Sequence, residues 1–165
     1  VFVSGGPMEA GKVTIGGKPV DPSRGDNSLL TRTREDTAYE EVMVPCTSLD
    51  AFIRERNLEG QPFSAWIDVE GATGAVLQGA EQSLASCLSL MVEFEQHKFW
   101  NEQWLAWEVM AFLLERDFIP VNRDFEYAHQ YNIVFVRKHL LERLEVREAL
   151  ALSFTRGYAG RARSS

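Results

Sequence analysis

Asp68 and Glu70 close the run Phe63-Ser64-Ala65-Trp66-Ile67-Asp68-Val69-Glu70-Gly71-Ala72, one residue apart and followed at once by a glycine. Residues at i and i+2 of a regular strand share a face. A buried parallel strand that ends in polar groups before a glycine turn delivers them to the crevice at the carboxyl edge of an open α/β sheet. Two kinds of chemistry suit such a pair: taking a proton from a substrate hydroxyl, or hydrogen-bonding a ligand's amine or hydroxyl groups. The competing assignment is structural, because a carboxylate just before a helix can cap its N-terminus and favour its positive end.

Glu93 ends a second apolar run, Leu88 to Phe94, and His97 follows shortly after, placed either as a general base at that strand's end or on a surface loop. His97, His129 and His139 have no close metal-ligand spacing and no cysteine partners, so the spacing supports no metal site. There is no G-x-S-x-G elbow and hence no hydrolase nucleophile. Gly6-Pro7-Met8-Glu9-Ala10-Gly11-Lys12 has the glycine and lysine spacing of a phosphate-binding loop. Val13, however, stands where a magnesium-binding Ser or Thr is needed, and Gly16-Gly17 would break the helix that must follow, so a β-turn is the simpler reading.

For the carboxylates to meet, Phe63 to Val69 and Leu88 to Phe94 must be parallel neighbours. The helical pattern from about Thr73 to Leu84, with Val76, Leu77, Ala80 and Leu84 on one face, makes the crossover. The apolar continuity of the first strand predicts burial on both faces. Tyr39 to Val44 reads as a strand, and Ser48 as the N-cap of a helix over Leu49 to Arg56 with Leu49, Phe52 and Ile53 on one side. Trp100 to Arg116 reads as one long helix with Trp100, Trp104, Trp107, Ala111 and Leu114 facing the core. Phe118 to Asn122 and Tyr131 to Arg137 read as an antiparallel pair around a polar loop holding Asp124, Glu126 and His129. The expected core is Ile67, Val69, Val76, Leu77, Leu90, Val92, Ile133 and Phe135.

Residues 1–38, rich in Gly, Pro, Asp and Ser between Ser4 and Asn27 and carrying a β-like insert at Lys12 to Ile15, read as peripheral strand, hairpin and loop. Residues 39–139 read as the α/β core. Residues 140–165 read as a packed leucine-rich helix to Phe154 followed by a mobile tail from Arg156. The chain of 165 residues suits one domain or part of one, and the strand-like Val1-Phe2-Val3 at its start suggests a piece of a longer protein. With 17 Lys+Arg against 24 Asp+Glu and a net charge of -7, it has no basic field for a nucleic-acid partner. Cys46 and Cys87 lie far apart outside any C-x-x-C spacing, which favours a reduced, cytoplasmic protein; no apolar run approaches the roughly 20 residues that span a bilayer, so no membrane partner is expected, and self-association into a homo-oligomer stays open.

With Val44-Pro45-Cys46-Thr47-Ser48-Leu49-Asp50 upstream and Leu90-Met91-Val92-Glu93 downstream, the stretch resembles the FkbM family of S-adenosylmethionine-dependent O-methyltransferases, a likeness that runs from about Tyr39 to His139. The resemblance implies a Rossmann-like, three-layer class I methyltransferase fold. Asp68-Val69-Glu70-Gly71 would end the fourth strand of a seven-stranded sheet that closes in an antiparallel pair. It implies S-adenosylmethionine as cofactor and a small-molecule or sugar hydroxyl as acceptor. Asp68 and Glu70 match the family's acidic pair and are the catalytic candidates; Asp68 and Gly71 are the candidates to border the donor. Glu93 matches the glutamate ending the next strand and, with His97 and Trp66, is placed on the acceptor side.

Several positions depart from the family pattern. Trp66 stands where the family usually has Lys, and Thr73 where it has a second glutamate. The glycine-rich loop D-x-G-A-x-x-G, which holds the donor's carboxypropyl end, would precede Val1. Asp68 to Gly74 cannot replace it, having one residue too many before the glycine. The chain by itself is therefore expected to bind the donor weakly and to be inactive, methyl transfer being expected of it as part of a longer protein. The rival reading is a non-catalytic or truncated α/β module used for binding or oligomerisation.

Overall fold

The computed structural model describes residues 2–3, 11–16, 27–31, 33, 39–124 and 128–161. In chain order its elements are β1 (Phe2–Val3), β2 (Gly11–Gly16), β3 (Asn27–Ser28), β4 (Tyr39–Val44), β5 (Cys46–Thr47), α1 (Leu49–Glu55), β6 (Phe63–Ile67) and α2 (Thr73–Gln78). A 3-10 turn at Ser83–Ser86 leads into β7 (Cys87–Glu95), α3 (Ala106–Leu114), β8 (Phe118–Arg123) and β9 (Gln130–Arg137), and a second at Lys138–Glu142 into α4 (Leu144–Arg161). The fold is mixed α/β. Its main sheet has four strands in the order β6-β7-β9-β8, beside a three-stranded sheet β3-β2-β4 and a short parallel pair β1-β5.

β6 and β7 are parallel, with Ala65 opposite Leu90 and Ile67 opposite Val92, as the strand, helix, strand order requires. β9 runs antiparallel to both β7 and β8, so the expected terminal pair is present. The parallel pairing puts the carboxyl ends of β6 and β7 at one edge, where β9 begins. At the opposite edge the Arg137 guanidinium donates to the carbonyl oxygens of Cys87, Arg116 and Leu84 and lies over the Phe118 ring, tying three segments together.

Strand alternation decides the core. Ile67, Leu90, Val92, Phe94, Tyr131, Ile133 and Phe135 share a face and bury against Val76, Leu77, Ala80 and Leu84 from the α2 region and Val109 and Leu113 from α3. Phe94 stacks between Tyr131 and Phe135, at 6.0 and 5.7 Å between ring centroids. Seven of the eight expected core residues are buried, whereas Val69, past the end of β6, is half-buried. α1 follows the expected N-cap: the Ser48 hydroxyl accepts from the Ala51 N–H at 3.1 Å.

Four expectations need correction. β6 alternates instead of burying both faces, and Trp66 is 67% exposed, because β6 is an edge strand of the sheet packed on one side only among the described residues. The helix expected from Thr73 to Leu84 breaks after Gln78 at Gly79. It restarts as a 3-10 turn whose Gln82 and Ser83 N–H groups donate to the Asp50 carboxylate. The helix expected from Trp100 begins at Ala106, since the Gln103 side chain accepts the Phe99 and Trp100 N–H groups and Glu108 accepts that of Leu105. Its buried stripe is Val109 and Leu113, and Trp107 is 69% exposed. α4, expected to be a packed helix up to Phe154, is largely exposed there, with Leu144, Leu152 and Phe154 in solvent.

Gly11–Gly16, which includes the lysine of the phosphate-loop look-alike, is a β-strand paired with β4. The rest of that motif, most of Ser4 to Asp26, Glu126, and the chain from Ala162 lie outside the described residues. No helix among the described residues is long and apolar enough to cross a membrane.

Candidate functional site

The chain leaves β6 at Ile67 and bends sharply, with Glu70 at φ 48° and Gly71 at φ 82°, both left-handed. Glycine adopts this region freely, whereas a residue with a Cβ does so at a cost of about 1–2 kcal/mol. The surroundings hold the bend: the buried Ser28 hydroxyl donates to the Glu70 carbonyl at 2.5 Å, and the Trp100 ring packs where a Cβ on Gly71 would sit.

The bend brings the acidic side chains together. One carboxylate oxygen from each of Asp68, Glu70 and Glu93 lies within 4.8 Å of the others. Asp68 is exposed, and the other two are half-buried. α2 has Ala72 at its N-cap, which makes no side-chain capping bond, and no acidic residue in its first turn.

Glu93 is held by the Gln130 side-chain amide, which donates to its Oε1 at 2.6 Å. Its Oε2 is buried and accepts no hydrogen bond among the described residues, and the same is true of Asn132 Oδ1. Burial pushes the Glu93 carboxyl above its ordinary value of 4.5, and the Asp68 charge pushes the same way; Gln130 and the Glu70 backbone N–H pull against them, with Asp124 adding a smaller upward push. Carboxylates this close share a proton or take a positive group between them. The same three oxygens form the donor set, among the described residues, that could hold a divalent cation.

Asp68 and Glu70 line two cavities at once. One, of about 400 Å³, runs along β6 and is walled mainly by apolar side chains, including Leu49, Ala65, Trp66, Ile67, Val76 and Leu90. The other, of about 330 Å³, is polar and is completed by Glu93, Asp124, Gln130, Tyr131 and Asn132. Asp124 is fixed by the backbone and side-chain N–H groups of Asn132 at 3.1 and 2.8 Å, and the Arg123 guanidinium lies 3.5 Å from the Tyr131 ring centroid.

Of the acceptor-side candidates, Glu93 lies in the polar cavity and Trp66 on the wall of the apolar one. His97 is exposed, its ring 4.4 Å from that of His129, and it lines neither cavity. Gly71 supports the turn beneath Trp100. Burial pushes the Cys87 thiol up to about 11, which leaves it an unreactive core side chain.

Sequence reasoning did not identify Asp124, Gln130 and Asn132 as parts of the site, nor Gln103 and Trp100 as its support. One signal was available: Gly71 and Gly74 pair in space with Trp100 and Trp104, both sets at a one-turn spacing. A family model described as the Methyltransferase FkbM domain matches residues 9–150. No curated protein and no solved structure gives a significant match.

Proposed function

Because the chain belongs to the FkbM methyltransferase domain family, we propose that its carboxylate edge transfers a methyl group from S-adenosylmethionine to a hydroxyl of a small molecule or sugar. The observation that carries this reading is the position of Asp68 and Glu70 on the wall shared by an apolar and a polar cavity. A reaction between a partly apolar donor and a hydroxylated acceptor needs that pairing of environments. In this reading the four-stranded sheet corresponds to the later strands of a seven-stranded Rossmann-like sheet, with β6 as its fourth strand.

S-adenosylmethionine, when bound, supplies an electrophilic methyl on a positively charged sulfur. The residues present suit it, because the acidic edge favours a cation. Asp68, exposed beside the polar cavity, orients the acceptor hydroxyl and takes its proton as the oxygen gains the methyl group. Glu93, biased towards its neutral form, can donate a hydrogen bond to a second acceptor oxygen. Asn132 Oδ1, buried and without a hydrogen bond among the described residues, offers an acceptor for a further hydroxyl group. The family match supports this enzymatic reading over a purely structural module.

The test is transfer of labelled methyl from S-adenosylmethionine to a panel of sugars and hydroxylated small molecules, comparing the protein with its Asp68→Asn variant. Removing a general base costs roughly 10²–10⁴-fold in turnover, with donor affinity unchanged. Equal turnover in the two proteins would place Asp68 outside the chemistry.

A further inference from the structure

The segment between β7 and α3 passes directly over the turn that carries the carboxylates, and the contact is tight at two points. Trp100, 1% exposed, occupies the space in which a Cβ of Gly71 would stand, and a Cβ on Gly74 would fall 2.5 Å from the Trp104 ring. Trp100 is not held there by a helix. Its backbone N–H and that of Phe99 donate to Gln103 Oε1 at 3.0 and 2.9 Å, while Gln103 Nε2 donates to Glu95 Oε2 at 2.5 Å and to the His97 carbonyl at 3.4 Å. Gln103 and Glu95 are both buried, at 4% and 5% exposure, so this one amide satisfies polar groups that water does not reach. The same loop is tied to the segment that holds the turn from its other side: Asn101 N–H donates to the Thr31 carbonyl and Thr33 N–H to that of Phe99, next to the Ser28 bond on Glu70.

We infer that Gln103 is a positioning residue for the carboxylate edge: by fixing Trp100 on Gly71 it holds the left-handed Glu70-Gly71 bend that brings Asp68, Glu70 and Glu93 together. Glu70 spends conformational energy to stay at positive φ, so the bend persists only while its surroundings enforce it. Trp100 encloses it on one side and Ser28 on the other. That these carboxylates serve methyl transfer rests on the reading above; that Gln103 sets their geometry does not.

Hydrogen exchange of the intact chain, followed by mass spectrometry, separates a local staple from a positioning role. In Gln103→Leu, protection falls at least tenfold in peptides covering 96–104 and also in those covering 68–74, while β7 and β9 keep theirs. Loosening confined to 96–104 would overturn the inference. Should Gln103→Leu fail to fold, Trp100→Leu and Trp100→Phe decide instead: the leucine loosens 68–74, and the phenylalanine, keeping a ring on Gly71, restores protection. Full protection of 68–74 in Trp100→Leu would overturn it. In the methyl-transfer assay, Gln103→Leu lowers turnover at least tenfold with the donor KM unchanged, and undiminished turnover beside a loosened turn would also overturn the role. If the wild-type protein methylates no acceptor, the proposed reaction fails while the exchange result still decides what Gln103 does.

Discussion

Burial first and the Asp68 charge second push the Glu93 carboxyl towards its neutral form. Its folded pKa lies above the unfolded value, so the folded state binds more protons in the interval between them. This group's contribution to stability therefore falls as pH rises from about 4.5 through the raised folded value, and is level above it. Glu93→Gln should remove that slope. Denaturant midpoints between pH 4 and 8 should show the wild type losing stability relative to the variant as pH rises, and parallel curves would contradict the assigned environment. That Asp68, Glu70 and Glu93 would share one sheet edge was legible in two apolar runs that each end in acidic residues. Gln103 and Asp124 were not, because a polar residue in a loop gives no hint of which distant backbone groups it will satisfy.

Among the elements, those read correctly were the ones whose boundaries are written locally. Ser48 caps α1, and the parallel β6-β7 pair follows from two apolar runs separated by a helical pattern. The errors fall where a tertiary hydrogen bond overrides a continuous pattern. The 73–84 segment is apolar at helical spacing throughout, yet Asp50 captures the Gln82 and Ser83 N–H groups at 3.0 and 2.7 Å and starts a new turn there. Gln103 does the same to the start of the tryptophan-rich helix. Asp50 thus joins α1 to the 3-10 turn, accepting the Ser83 hydroxyl as well at 2.5 Å. Asp50→Ala should cost about 2–3 kcal/mol, more than the ~1 kcal/mol expected for loss of the Ser48 cap, because three donors lose a charged acceptor. Denaturant unfolding of the two variants gives the comparison. Leu77, fully buried between α2 and the sheet, should cost about 2–5 kcal/mol on replacement by Ala. A loss under 1 kcal/mol would mean the α2 face is not core.

At the scale of the whole molecule, the described residues build one packed sheet face and two differently made edges. The edge around Arg137 is closed by hydrogen bonds to three backbone carbonyls, whereas the carboxyl edge gathers three acidic groups between an apolar and a polar cavity. Chain order predicted that the carboxylates would share an edge. It did not predict that β6 would expose Trp66, because apolar continuity in a strand does not distinguish a central strand from an edge strand beside a cavity. We propose that methyl donor and carboxylate edge belong together, and a titration of the isotopically labelled chain with S-adenosylmethionine, followed by backbone amide resonances, decides it. The sequence has no D-x-G-A-x-x-G loop, so binding should be weaker than micromolar. The shifts should be confined to Asp68–Ala72, Glu93 and their cavity neighbours. Saturable shifts around Arg116 and Arg137 instead, or none at Asp68–Ala72 up to the solubility of the donor, would contradict the account.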